Sequence, residues 1–206
     1  MEIIATLALA LGASWCAGIN LYATVFVLGA LHRYTGFELP AGMEPITSDW
    51  VLWPSLFLYC VEFVADKVPA VDSAWDTVHT FLRVPAGAVL AATALGDVPM
   101  EFQLLAGLLG GSLALASHTT KATTRLALHG SGGSLAAPIV SVGEDVLVVA
   151  AMGLVAANPV LSLFIVAVMM VAAYYILKAF WGLAKRVANG LRSLFGGGAP
   201  AEPAAG

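Results

Sequence analysis

Long apolar runs separated by short polar breaks set the organisation of this chain. A run from about Ile3 to Leu31 predicts a first helix, with Gly12, Gly18, Asn20 and Thr24 in its middle and second half. A loop with Pro40 and Pro45 follows, and Ser48-Asp49 is an N-cap signal for a second helix over about Trp50 to Asp66. A third helix is predicted from Asp72 or Ser73 to about Leu95. It should be interrupted at Pro85 and Gly87, because a proline inside a span leaves a backbone carbonyl free. A fourth covers about Phe102 to Leu128, and the Gly130–Ser134 linker separates it from a short fifth, about Gly143 to Ala157. There Glu144 and Asp145 would lie in a first turn and complement the helix dipole. The sixth, about Val160 to Phe180, is the most uniformly lipophilic. Residues 181–195 read as a basic amphipathic continuation, and Gly196 to Gly206 as a disordered Gly/Ala/Pro tail.

Spanning a bilayer takes about 20 apolar residues per helix, and composition agrees with that solvent. Hydrophobic residues make up 60% of the chain and charged ones 11%, with a mean hydropathy of +0.89. The expected fold is an all-α membrane protein of about six transmembrane helices in one bundle, with short or broken helices. The lipid bilayer is its first partner. A net charge of −4 and scattered basic residues give no footprint for nucleic acid. Cys16 and Cys60 lie in apolar runs without metal-ligand spacing and read as small hydrophobes. Glu2 and Trp15 do not fit a secretory signal, so the first run is read as a retained helix.

Basic residues cluster toward the C-terminal end, at Lys178, Lys185, Arg186 and Arg192, which the positive-inside rule places in the cytoplasm. Six spans then put both termini there. Lys67, Arg83, Lys121 and Arg125 fall on the same side, leaving Arg33 alone outside. Two halves also look related, residues 1–98 and 99–185, followed by a basic end and tail at 186–206. Ala17 to Thr24 aligns with Ala116 to Thr123, and Phe63 to Pro69 with Leu154 to Pro159. Three helices is an odd number, so repeated halves would be inverted in the membrane, as in many secondary transporters.

The charges that remain are the candidate site. Glu62, Asp66, Lys67, Asp72, Asp76, His79 and Arg83 crowd one stretch of an otherwise apolar chain. Glu62 lies roughly 18 Å along the helix from Trp50, too deep to escape to water, and Asp66 shares its face. Asp72, Asp76, His79 and Arg83 recur at helical spacing. His118, Lys121 and Arg125 make one face of the fourth helix cationic. They need counter-charges, from Glu62, Asp66, Glu144 and Asp145 or from a bound anion. Asn20 and Thr24 are polar groups inside a span, serving helix packing or lining a pathway.

Three segments carry a resemblance: Gly18-Ile-Asn-Leu-Tyr-Ala-Thr24, the stretch from Glu62 through Trp75-Asp76 and His79 to Gly87, and Ser117-His-Thr-Thr-Lys121-Ala-Thr-Thr-Arg125. They resemble a family of bacterial integral membrane proteins catalogued as a domain of unknown function. The resemblance covers nearly the whole chain and implies a bacterial inner-membrane location, but no established activity. Such sequences continue after the helix-four arginine with an Asn-x-Ser-Pro-Glu-Pro-like segment, where this chain has His129-Gly-Ser-Gly-Gly-Ser134.

Two functions follow from these patterns. One is a secondary transporter or channel for an ion or small solute, an anionic one included, in which a polar cavity holds the carboxylates and cations. The other is a membrane-embedded metal-dependent enzyme acting on a phosphate-bearing lipid, with Asp72, Asp76 and His79 as ligands and Arg83, Lys121 and Arg125 on the phosphate. A structural membrane protein is the third possibility. The transporter requires no cofactor. Gly-rich faces suit a homo-oligomer as well as packing inside one bundle.

Overall fold

The computed structural model describes residues 3–130 and 136–195, and their side chains except those of residues 69–70, 72–73, 129–130, 136–137 and 190–195. The predicted linker from residue 131 onward, the tail from Gly196 and the side chain of Arg192 lie outside the described residues. Seven α-helices and one short 3-10 helix account for the fold, with no strand among the described residues. They are α1 (Ile3–Ile19), α2 (Leu21–Thr35), the 3-10 helix (Ala41–Thr47), α3 (Asp49–Ala65), α4 (Pro69–Ala94), α5 (Met100–Gly130), α6 (Ala136–Ala157) and α7 (Pro159–Phe195).

Three expectations are corrected, and the continuation of the sixth helix is found. The first predicted helix is two helices, because Asn20 leaves the helical region (φ −146°, ψ 101°) and caps α2, accepting a hydrogen bond from the Ala23 N–H. Asparagine is among the best N-cap residues, and an apolar run conceals its effect. The third predicted helix is unbroken and begins earlier: Pro69 occupies its first turn, where no N–H is lost, and Pro85 sits on an exposed face without ending it. The fifth helix is not short. It starts at Ala136 and has 22 residues, so Glu144 and Asp145 lie beyond its first turn and have no capping role. The sixth helix and the basic continuation form one helix of 37 residues.

Three helical segments are long and apolar enough to cross a membrane by length and composition: Met100–Leu128, Pro138–Ala157 and Pro159–Asn189. Their outward faces are apolar, with Leu108, Val146 and Phe164 each more than 60% exposed, as a lipid-facing surface requires. The fold is therefore membrane-like, with apolar side chains outside and charge inside. α1 and α3 have 17 residues each and α2 has 15, while α4 opens on a stripe of charge.

Helix direction follows from what the ends touch. Ala5 and Thr6 of α1 share a cavity of about 520 Å³ with Leu39 and Pro40 just after α2, Leu95 and Gly96 after α4, and Ala156 and Pro159 at the junction of α6 and α7. These ends lie together. α1 and α2 thus form a hairpin: both start or finish at this end of the bundle, and Asn20 is its tip. α1 is buried nearly all round from Ala8 onward, which makes it the central helix of the core. Because α7 starts at the end where α1 starts and runs away from it, the described chain begins and finishes at opposite ends of the bundle. Termini on one side, expected from an even number of simple crossings, do not fit this path.

The first of the two internal alignments is also at odds with inversion. Ser14 approaches Gly110, Gly18 approaches Ala114 and Ser117, and Ile19 meets Lys121, so α1 and α5 run in the same sense. Segments related by a two-fold axis in the membrane plane would run oppositely.

Small residues permit this packing. A Cβ at Gly18 would lie 1.9 Å from Ser117 Oγ and 2.2 Å from the Ala114 carbonyl oxygen. Gly87 and Gly110 pack α4 on α5, and Ser14 Oγ ties α1 to them by donating to the Gly87 carbonyl at 2.9 Å. Gly18→Ala should therefore lower stability by about 3 kcal/mol in thermal unfolding in detergent. Gly143→Ala, whose Cβ would meet nothing within 4 Å, should change it by less than about 0.5 kcal/mol. In a Cys60→Ser background, single cysteines at Glu38 and Asn189 should be labelled by an impermeant maleimide from opposite faces of the membrane. Labelling of both from one face would refute the hairpin path.

Candidate functional site

Charged side chains in an apolar bundle have to be satisfied by one another, and here they converge at the hairpin tip. α3 brings Glu62 and, at its C-terminal cap, Asp66. α4 brings Asp76, Thr80 and Arg83, and α5 brings His118, Lys121 and Arg125. α6 contributes Ser141, Glu144 and Asp145, and the tip contributes Asn20 and the carbonyl of Ile19.

Arg83 is 0% exposed and holds the first half together. Its Nη2 donates to Glu62 Oε1 at 2.5 Å, and its Nη1 donates to Asp76 Oδ1 at 2.9 Å and to His118 Nδ1 at 2.7 Å. A guanidinium can only donate. His118 Nδ1 is therefore an acceptor, which makes the ring the neutral tautomer with its proton on Nε2. That proton goes to Thr80 Oγ1 at 2.7 Å, and the Thr80 hydroxyl donates in turn to the Asp76 carbonyl at 2.9 Å. His79 is held differently. Its Nδ1 faces the Trp75 carbonyl at 2.8 Å and must donate, Nε2 pairs with the Tyr22 hydroxyl at 3.0 Å, which can donate or accept, and the ring stacks on Trp75 at 4.3 Å between centroids.

Lys121 holds the second half. Its ammonium donates to the Ile19 carbonyl at 2.9 Å and to Asp66 Oδ2 at 3.3 Å, and lies 3.6 Å from both Glu62 and Glu144. Arg125 Nη2 reaches Asp66 and Glu144 at 2.7 Å each, and Ser141 Oγ donates to Asp66 at 3.3 Å. Asn20 does two things at once: Oδ1 caps α2, and Nδ2 donates to Asp145 Oδ1 at 3.0 Å. Charge and helix ends therefore correspond. The C-terminal, partially negative end of α1 meets the Lys121 cation, and the N-terminal, partially positive end of α2 meets the Asp145 carboxyl through Asn20.

Most residues singled out in the sequence come together here, with four exceptions. His79 pairs with the Tyr22 hydroxyl and the Trp75 carbonyl, beside the ionic network and not in it. Lys67 turns away: Nζ donates to the Phe63 carbonyl at 2.7 Å and lies over the Phe63 ring, 3.0 Å from its centroid. Thr24 bonds the Asn20 carbonyl at 2.7 Å and supports the tip without joining the ionic network. The side chain of Asp72 lies outside the described residues. Thr80, Ser141 and the Ile19 carbonyl belong to the network beyond the residues the sequence singles out, and Tyr22 holds His79 beside it. Thr80 follows His79 in the charged stretch and Tyr22 follows Asn20 by two, which were the available signals. Ser141 and a backbone carbonyl carry none.

Among the described residues five carboxyl groups (Glu62, Asp66, Asp76, Glu144, Asp145) thus face three cations (Arg83, Lys121, Arg125), with His118 neutral. Glu62 Oε2, Asp66 Oδ1 and Asp145 Oδ2 are buried without a hydrogen-bond partner. Glu62 and Arg83 are fully buried. Among the described residues no three His, Cys, Asp or Glu side chains converge as a metal-ligand set, since cations stand between the carboxylates. An acid-rich cluster of this kind can take up and release protons or cations. Arg83→Met leaves Asp76 unpaired and Glu62 with Lys121 alone and should cost about 3–5 kcal/mol in unfolding measured in detergent micelles. Adding Glu62→Leu should recover part of that loss.

No curated protein matches this chain, and no solved structure matches it. A family model does, over residues 7–179, and its description is "Domain of unknown function (DUF4126)". That span includes all but the first turn of the hairpin, every residue of the charge cluster and the first half of α7, and the chain is a member of this family.

Proposed function

We propose that the protein is a small secondary transporter or channel, with the charge cluster at the hairpin tip as its ion-handling centre. The observation that carries this reading is the acid excess: five carboxyl groups, four of them buried and Glu144 partly so, against three cations among the described residues, gathered where a helix is broken inside an apolar bundle. Ionisable groups inside a membrane are costly, and they recur where ions or protons pass. Broken helices whose ends address charges are the usual setting of such sites. The excess is negative, which favours a proton or cation over an anionic solute as the species bound.

In this reading α3 to α7 each traverse the bilayer, and the α1–α2 hairpin enters it from the opposite side to the charge cluster. Lys67, Lys121, Arg125, Lys178, Lys185 and Arg186 lie toward the cluster end, so the positive-inside rule makes that end cytoplasmic and places the start of α1 across the membrane. The metal-dependent enzyme is the weaker alternative, because the donors it needs are committed: Arg83 to Glu62, Asp76 and His118, and both nitrogens of each histidine to neighbours.

The test is flux into proteoliposomes, read with dyes for protons, sodium and potassium under imposed pH and ion gradients. Wild type should move at least one of these ions. Glu62→Gln, folded by circular dichroism, should slow it by about tenfold or more, a barrier increase of about 1.4 kcal/mol. Absence of flux of all three under every gradient would end the transport reading.

A further inference from the structure

Of the five carboxyl groups in the cluster, four have a cation within 4 Å. Glu62 and Asp76 have Arg83, and Asp66 and Glu144 have Lys121 and Arg125. Asp145 forms no ion pair among the described residues. It is 4% exposed, Oδ1 accepts from Asn20, and Oδ2 is buried without a partner. It also lines a groove of about 340 Å³ between α3 and α6, walled by Tyr59, Phe63, Val142, Val146 and Val149.

We propose that Asp145 is the proton-binding residue of the cluster, taking a proton on Oδ2 from water that enters by the groove between α3 and α6. A bare carboxylate with one oxygen unsatisfied in an apolar site is disfavoured against its neutral acid. The neighbouring groups act in both directions. From α3, Glu62 and Asp66 oppose a further negative charge while the Tyr59 phenol is uncharged, and Lys67 beyond the last turn of α3 and Lys121 of α5 favour it. The Asn20 amide donates to Oδ1 in either state. The bound proton balances one of the two surplus negative charges. Release returns it to water and restores the carboxylate, now facing the N-terminal end of α2 through Asn20. Since Asn20 also caps α2, the protonation state of Asp145 bears directly on the hairpin tip. The proton site stands on this geometry, and that its proton is the one exchanged during flux rests on the transporter reading above.

The experiment is infrared difference spectroscopy of the purified full chain in lipid nanodiscs, acid against alkaline, with isotope-labelled aspartate or glutamate, run beside the dye assay for proton flux. A protonated-acid carbonyl band that shifts with labelled aspartate should appear on acidification in wild type. It should vanish in Asp145→Asn and persist in Glu62→Gln. Asp145→Glu keeps a titratable group and should move the band's sensitivity from labelled aspartate to labelled glutamate, which covers the case of Asp145→Asn failing to fold. No aspartate band in wild type, or one unchanged in both Asp145 variants, overturns the proposal whatever the flux. A band that behaves as expected with no proton flux in wild type upholds the proton site and refutes its role in transport. With both present, flux should fall at least tenfold in Asp145→Asn.

Discussion

The carbonyl of Ile19 ends a helix in the interior of an apolar bundle, and Lys121 is what satisfies it. Backbone groups away from water have to be paired, and α1 stops at its most buried point, where no solvent can help. The ammonium of Lys121 answers the carbonyl at 2.9 Å, but a buried cation needs counter-charge. It finds Asp66, Glu62 and Glu144 around it. Those acids in turn hold Arg125 and Arg83. The whole cluster can be followed outward from one unpaired carbonyl, which is why broken helix and buried charge occur at the same place.

Such a cluster needs rigid walls, and small residues provide them. Gly18 on Ala114, Gly87 on Ala114 and Gly110 on Ala91 bring three helix backbones closer than any side chain would allow. The close approach of α1 to α5 delivers the Ile19 carbonyl to Lys121, and that of α4 to α5 delivers Arg83 to His118. Lys121 and His118 leave α5 one turn apart, so a shift of α5 along α1 would separate both pairs together. Packing without side chains thus sets the geometry of side chains that carry charge.

The arrangement is closed on itself yet not neutral. Arg83 and Lys121 can satisfy at most what they touch, and two negative charges are left over among the described residues. In water such a surplus is screened. Inside a bundle it is a demand for a counter-ion, and a proton is the smallest one. On the transport reading proposed above, tight packing and charge imbalance together favour a species that needs little room over a solute with a body of its own.

Much of this was legible in the sequence. Composition and the length of the apolar runs determined the helical, membrane-like class, because lipid tolerates little else. Helical spacing put Glu62 with Asp66, and His118 with Lys121 and Arg125, on single faces, and the depth of Glu62 marked it as a buried acid. By sequence alone Asn20 is a polar residue inside one helical run. Whether an asparagine continues a helix or caps the next depends on a partner such as Asp145, 125 positions away. Likewise Glu144 and Asp145 looked like capping acids, since a run of Ala, Pro and Val before them does not announce a helix by itself. Pro85 looked like a break and was not one, its exposed face being set by how α4 packs. Local chemistry decided which residues could not face lipid. Only the tertiary structure decided which of them meet, because charge pairing in an apolar core is set by close approach between helices distant in the chain.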